Sequence, residues 1–262
     1  MILTRSAFAG QQRNAAASWS GDISSNWTTL RRQIPAGLSF SMSGLPYWTT
    51  DTGGFFRPAD QYTSDAHHEL LIRWFEYGMF CPIFRAHGYK SNTELWNYGP
   101  QVERVLTQYD ELRYRLVPYI YSAAWGVTTN VESLMRALPL EFSSDPKTRG
   151  ISDQFLFGSS LLVNPVTTEG ARQRSLYLPA RSDWIDFWTG KRLSGDQNIT
   201  VEAPRFQSMQ RLGQSFLLLR VGRRLYPRQN RLNHGSTPKQ MVTLRCMKMK
   251  ATSTTMNTEF ML

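Results

Sequence analysis

The chain has 262 residues, 41% hydrophobic and 13% aromatic, enough to bury one large core or two modest ones and unlike the composition of a disordered protein. Its two cysteines, Cys81 and Cys246, fit neither a disulfide framework nor a metal-ligand spacing. The formal charge of +10 is confined to one end: positions 205–262 carry eleven Lys and Arg against a single acid, Glu259, and the 204 residues before them are neutral.

Residues 1–4 form a short apolar run with the character of a buried strand, and 5–18 read as a loop of small residues. In SWSGDISSNW, positions 18–27, Asp22 stands between Gly21 and Ile23 and is fenced by Trp19 and Trp27. Two readings fit these residues. Asp22 is an acid whose proton is retained near neutral pH by apolar neighbours, or it is a helix N-cap beside a surface tryptophan. Trp27, Leu30 and Ile34, spaced three and four apart, predict a helix over 27–34 that stops at Pro35-Ala36-Gly37. LSFSMSG, 38–44, is strand-like and is followed by LPYWTTD and the flexible TGG. A helix is predicted over 69–84, with Ser64 or Asp65 near its start, and another over 102–125, with Val105, Leu112, Leu116 and Ile120 on related faces. His67 and His68 read as surface residues at a helix start. Strand, polar loop, helix and strand in this order fit part of a (β/α) barrel.

After Pro139 the pattern shifts to short β-type runs, QFLFGSSLLVNPV and RSLYLPARSDWIDFWTG, broken by Gly, Pro and Asn as expected of an appended β-sandwich. The boundary is expected near 145–150. The overall expectation is an α/β fold: the C-terminal part of a (β/α)8 barrel over 1–145, the start of a β-sandwich over 146–204, and an irregular basic tail over 205–262. The longest apolar run near the end, Phe216 to Leu219, is too short to span a bilayer, and the first residues lack the layout of a signal peptide, so no membrane is expected. The compartment is left open.

The stretch ILTRSAFAGQQRNAAASWSGDISSNWTTLRRQIPAGLSFSMSGLPYWTTDTGGFF resembles the second half of the catalytic barrel of glycoside hydrolase family 31, the α-glucosidase and α-xylosidase family. FCPIFRAHG, LMRALPLEF, QFLFGSSLLVNPV and WIDFWTG resemble later blocks of that family in the same order, and the resemblance covers 1–204. It implies that Asp22, in the W-x-G-D block, is the general acid/base. Retaining glycosidases protonate the departing oxygen from one carboxyl group while a second carboxylate about 5 Å away attacks the anomeric carbon. Trp19 would help Asp22 keep its proton until it is needed.

Other positions follow from the same resemblance. Arg5, in T-R-S, matches an arginine that reaches sugar hydroxyls or the catalytic carboxylates, against a strand-end salt bridge. Asp51, in TTDTGG, matches a subsite carboxylate at a strand end, against a turn-forming Asp. His87, in FRAHG, matches a histidine that hydrogen-bonds the sugar, and Arg85 pairs with an active-site acid or lies on the barrel rim. Trp48 and Phe55 are stacking surfaces for a pyranose or core residues. The implied partner is an α-linked oligosaccharide or glycoside, xyloside or glucoside, with no metal and no other cofactor.

The family's nucleophile lies in a block resembling W-x-D-x-N-E, and no such block occurs in the sequence. A whole (β/α)8 barrel takes about 250 residues, more than precede the sandwich here. The expectation is therefore a fragment, inactive by itself and dependent on a polypeptide supplying the missing N-terminal half. The tail raises one further possibility, an arm for RNA, DNA or an acidic surface, but no helix-turn-helix, zinc-finger or RNA-recognition pattern accompanies it. A sugar-binding remnant without catalysis is a third reading. Read two nucleotides out of frame, codons for 205–218 can spell IPIYAKAGSIIPF and codons for 242–258 can spell NFTMYEDEGDKYNYEH, both resembling blocks that the family carries there. The tail is therefore expected to be out of frame, and no nucleic-acid partner is expected.

Overall fold

The computed structural model describes residues 2–204 and 217–221; the basic tail after Val221, with Cys246 and the out-of-frame block expected over 242–258, and the stretch 205–216, most of the block expected over 205–218, lie outside the described residues. Three short strands, β1 (Ile2–Thr4), β2 (Ala16–Trp19) and β3 (Trp48–Thr49), run parallel in chain order, Ile2 opposite Ala16 and Ser18 opposite Trp48. A parallel bridge from Thr52 to Ala86 repeats the pattern one step further along the chain. The crossovers are α1 (Trp27–Met42) between β2 and β3, and α2 (Asp65–Gly78) between β3 and the bridge. Parallel neighbours need such crossovers, and their succession is that of a (β/α) barrel.

Several local expectations give way to packing. The expected loop 5–18 contains a 3-10 turn, Gln11–Asn14, and runs into β2, whose small residues carry no strand signal. Pairing on both sides makes β2 a strand, because context outweighs β-propensity. Nor is β1 a buried strand: Ile2 is 60% and Leu3 38% exposed. Helix α1 runs through Pro35 and takes in residues 38–42 of the strand-like 38–44. An interior proline costs about 3 kcal/mol. What opposes that cost is the burial of Ile34, Leu38 and Ser41, with the Ser41 hydroxyl donating to the Met135 carbonyl. At Gly37 a Cβ would stand 2.7 Å from the Trp48 ring, so a glycine lets the helix close onto β3. The expected helix over 102–125 is two helices, α3 (Gly99–Arg115) and α4 (Val117–Asn130), because Pro118 cannot donate into the preceding turn.

Helix α2 is capped by Ser64, whose hydroxyl accepts from the His67 N–H at 3.4 Å. His67 and His68 are buried, contrary to their expected surface position, since every residue from Leu70 to Gly78 faces protein and the first turn is drawn in with them. Within α2 the buried Arg73 donates two 3.1 Å bonds to Glu76, and Tyr109 of α3 donates to Glu76 at 2.5 Å. Arg73 also donates to the Pro204 carbonyl at 2.6 Å, which ties the helix pair to the far end of the second sheet system.

That second system begins earlier than expected, at β4 (Met135–Ala137), which pairs antiparallel with β5 (Phe155–Phe157). With β6 (Leu161–Val163), β8 (Asp183–Asp186), β9 (Arg192–Leu193) and β11 (Leu217–Val221) it forms a six-stranded sheet ordered β4-β5-β6-β11-β8-β9. The inclusion of β11 corrects the expectation of an irregular tail after residue 204: Leu217 to Leu219 fill the gap between β6 and β8. A separate antiparallel pair, β7 (Gln173–Leu178) with β10 (Gln197–Glu202), covers the sheet. Successive strand residues point to opposite faces. Phe155, Phe157, Leu161, Val163 and Leu217 therefore enter the core shared with α1, α2 and α3, while Leu156, Leu162 and Leu218 enter a smaller core with Leu176, Leu178 and Trp184. The runs FLF, LLV and LLL are uninterrupted because both faces are covered.

Candidate active site

Each parallel strand or bridge ends in a candidate residue. Arg5 follows β1, Asp22 follows β2 by a Gly21 turn with φ +80°, Asp51 follows β3, and Arg85 and His87 flank the bridged Ala86. The C-terminal strand ends of a (β/α) barrel are where its catalytic groups collect.

The side chains form two ion pairs around one tryptophan. Arg5 contacts Asp22 at 2.5 Å, both side chains open to solvent, and Arg85 pairs with Asp51, which is wholly buried. The Trp19 ring lies near both cations, 5.9 Å from the Arg5 guanidinium carbon and 5.7 Å from that of Arg85. Trp19 is thus not an apolar fence around Asp22. Trp27 does not fence it either; as the first residue of α1 it packs on the larger core. Nor is Asp22 the cap of α1, a role taken by Asn26, whose side chain accepts from the Thr29 N–H at 2.8 Å.

Burial is the main influence on Asp51 and raises its pKa; Arg85 and His87 oppose the rise and the charge of Asp22 adds to it. Arg85, His87 and Asp22 therefore all act on one carboxyl. Four buried polar atoms in this neighbourhood lack a hydrogen-bond partner among the described residues: Asp51 Oδ2, Arg85 Nε, Trp19 Nε1 and Ser20 Oγ. Buried polar atoms are nearly always bonded, and these four are donors and acceptors without a protein partner near the paired charges.

The stacking candidates divide. Trp48 is buried, with its ring 4.8 Å from Phe40 and against Gly37, so it is a core residue and not a sugar platform. Phe55 is half-buried, its ring 5.4 Å from that of the exposed His87.

Two arginines with no signal in the sequence hold the site loops. Arg57 donates from Nε to the Gly54 carbonyl at 2.9 Å and from Nη2 to the carbonyls of Thr52 at 2.7 Å and His87 at 3.4 Å, and also to the Tyr98 hydroxyl. It clamps the loop after Asp51 to the loop carrying His87, and its burial lowers its pKa. Arg113 of α3 donates to the carbonyls of Met79 at 2.6 Å, Cys81 at 3.0 Å and Pro82 at 3.0 Å, bracing the segment that leads to Arg85; burial brings its pKa to about 10. Their partners are mainly backbone carbonyls, which every residue type possesses and which leave no signature in sequence. Gly54 belongs to the same construction: its φ is +85°, and a Cβ there would stand 2.5 Å from Ser25 Cα. Behind Ser25, His67 Nδ1 lies 3.5 Å from the Ser25 hydroxyl, and burial pushes the His67 pKa down to about 4. Among the described residues no three His, Cys, Asp or Glu side chains are grouped so as to hold a metal ion, and no helix is long and apolar enough to cross a membrane.

Known proteins resemble this chain in sequence and in fold. Residues 1–123 match the glycosyl hydrolases family 31 TIM-barrel domain and residues 131–215 the family 31 C-terminal domain. The α-xylosidase of Saccharolobus solfataricus is 46% identical over 202 residues, covering 77% of this chain and 27% of the relative. α-Glucosidase 2 of Bacillus thermoamyloliquefaciens is 34% identical over 205 residues, covering 77% and 25%. Among solved structures, the family 31 α-xylosidase of Xanthomonas citri superposes with a TM-score of 0.78 at 43% identity, covering 85% of this chain and 24% of that one. The chain thus spans about a quarter of the length of these relatives. Parallel strands ending in paired charges, a two-faced antiparallel sheet behind them and both domain matches in order lead to one assignment: the chain belongs to glycosyl hydrolase family 31.

Proposed function

We propose that Arg5, Trp19, Asp22, Asp51, Arg85 and His87 receive the terminal non-reducing sugar of an α-linked glycoside, with Asp22 as general acid/base in hydrolysis with retention. The observation that carries this reading is the cluster of unbonded buried polar atoms on Asp51, Arg85, Trp19 and Ser20 beside the two ion pairs. Sugar hydroxyls donate and accept at once, so they would complete both the Asp51 carboxylate and the Arg85 and Trp19 donors. Asp22 is exposed and can reach a glycosidic oxygen, and Arg5 beside it would balance its charge after the proton leaves. In the second step the Asp22 carboxylate would take a proton from the incoming water. Acid, base and nucleophile are all carboxylates in this scheme, so it calls for no metal or other cofactor. The α-xylosidases among the relatives favour an α-xyloside over an α-glucoside.

We propose further that the 262 residues do not turn over glycosides unaided. Asp22 supplies the proton, but the covalent step takes a second carboxylate, and the block resembling W-x-D-x-N-E does not occur in this sequence. The test is the purified chain with aryl α-xyloside and aryl α-glucoside beside Asp22→Asn. No release of the aryl group is expected. Release abolished by Asp22→Asn would overturn the proposed inactivity while supporting the role of Asp22; release unaffected by it would sink both. Binding of methyl α-xyloside is expected to be lost in Asp51→Asn, which also leaves Arg85 without its counter-charge and is expected to lower stability; calorimetry and thermal melting read the two effects.

The basic tail, on this reading, is an out-of-frame product rather than a binding arm. Sequencing the encoding DNA tests it: codons that spell IPIYAKAGSIIPF and YEDEGD at one shared offset would support it, and codons that spoil them would refute it.

A further inference from the structure

Away from the paired charges, a cavity of about 220 Å³ lies beside the start of β7, and neither the packing of the two cores nor the proposed site uses it. The residues leading into β7 build it. Ala171 N–H donates to the Thr168 carbonyl at 3.2 Å and Gly170 has φ +65°, so the chain turns back on itself before the strand begins. Val166 and Ala171 supply apolar atoms to the lining, Thr167, Thr168 and Ser175 supply hydroxyls, and Arg174 supplies a guanidinium. Val166 is buried, whereas Thr168 and Ser175 are exposed. Arg174 Nη2 contacts Asp153 at 2.8 Å, but Arg174 Nε is buried without a hydrogen-bond partner among the described residues. The segment meets the barrel near the start of two helices: Arg31 of α1 donates to the Thr167 carbonyl at 3.5 Å, and Arg172 pairs with Glu69 of α2 at 3.5 Å.

We infer that this cavity is a second carbohydrate site, one that holds a single sugar ring of a glycoside. The inference goes beyond the site at the strand ends and takes from it only the class of ligand. Size sets one limit: the volume is below the roughly 300–1,000 Å³ of sites that enclose drug-sized ligands, which leaves room for one ring. Charge sets another. Arg174 is matched by Asp153 and Arg172 by Glu69, while Glu169 in the turn and Glu202 opposite Gln173 add negative charge, so a free anion gains no net attraction. A neutral ligand is left, and the lining states its chemistry. A buried N–H without a partner is costly, and a ligand hydroxyl that accepts from Arg174 Nε removes that cost. The threonine and serine hydroxyls both donate and accept, as sugar hydroxyls do, and Val166 with Ala171 suits the C–H face of the ring.

Methyl groups report on the two sites separately, since Val166 and Ala171 line the cavity and Ile23 adjoins Asp22. The full chain, isotope-labelled at its valine, alanine and isoleucine methyls, is titrated with methyl α-xyloside and followed by NMR. The Val166 and Ala171 signals are expected to move along one saturable curve. Arg174→Lys keeps a positive charge opposite Asp153 but lacks the Nε–H; it is expected to weaken that curve roughly 5- to 10-fold and to leave the Ile23 curve unchanged. Thr168→Val, on the exposed side, is expected to weaken it roughly 2- to 5-fold, and thermal melting checks that both variants are folded. Sodium sulfate in place of the glycoside is expected to move neither signal. Movement of Ile23 with Val166 and Ala171 silent would overturn the second site and leave the first standing; the reverse would overturn the first alone, and silence at all three would overturn both. Equal curves in the unaltered chain and in Arg174→Lys, or a response to sulfate without one to the glycoside, would also overturn the second site.

Discussion

The six-stranded sheet is covered on both faces by side chains of its own chain, whereas the parallel sheet ends at β1, where Ile2 and Leu3 lie open. The helices repeat the contrast. On α2 every residue from Leu70 to Gly78 is buried, while α4 presents Tyr121 and Trp125 to solvent along with Val117 at its start. Parallel strands normally stand between two covering layers, and among the described residues that cover is incomplete at β1. Stability in this molecule therefore resides in the double-faced sheet and the helices against it. The candidate site sits at the thinner end, on loops held by arginines bonded to backbone carbonyls.

Substitutions on the two sides should separate by size. Phe157 is fully buried where the double-faced sheet meets the helices, with Phe80 and Tyr119 beside it, so Phe157→Ala is expected to cost about 3–5 kcal/mol in denaturant unfolding. Glu76→Gln leaves Arg73 buried without its counter-charge and is expected to cost about 3 kcal/mol, read the same way. Acid should act from the thin side. His67 titrates at about 4 when folded and near 6.5 when unfolded, so between those values the unfolded chain binds the extra proton. Its contribution is present above pH 6.5 and lost as pH falls towards 4, to a limit of about 3 kcal/mol. Thermal melting across that window should show the slope, and His67→Gln should flatten it. Leu3→Thr, on the open edge, is expected to change stability by less than about 0.5 kcal/mol. A cost comparable with that of Phe157→Ala would erase the distinction between the two sides.

Much of this was visible in the residues. The order of β-type and helical runs implied part of a barrel followed by a sandwich, and the blocks around Arg5, Asp22, Asp51 and His87 carried the family resemblance that both domain matches bear out. What the sequence misjudged shares one cause. Helix α1 passes Pro35 because the Gly37 contact with Trp48 and the burial of Leu38 outweigh local preference, and β2 is a strand because it has neighbours on both sides. Trp48 stood open between sugar platform and core residue because an aromatic residue near a strand end reads alike whether it faces a ligand or a helix.

By itself, then, the sequence determined the family, the element types of the long periodic segments and the residues at the strand ends. These depend on residue identity and on spacing along the chain. Only the tertiary structure decided that Trp19 lies between two arginines, that Asp51 is buried with an unbonded oxygen, that Arg57 and Arg113 brace the loops, and that Leu217 to Leu219 complete a sheet. Each depends on burial and on contact between segments far apart in sequence, and no local pattern specifies either.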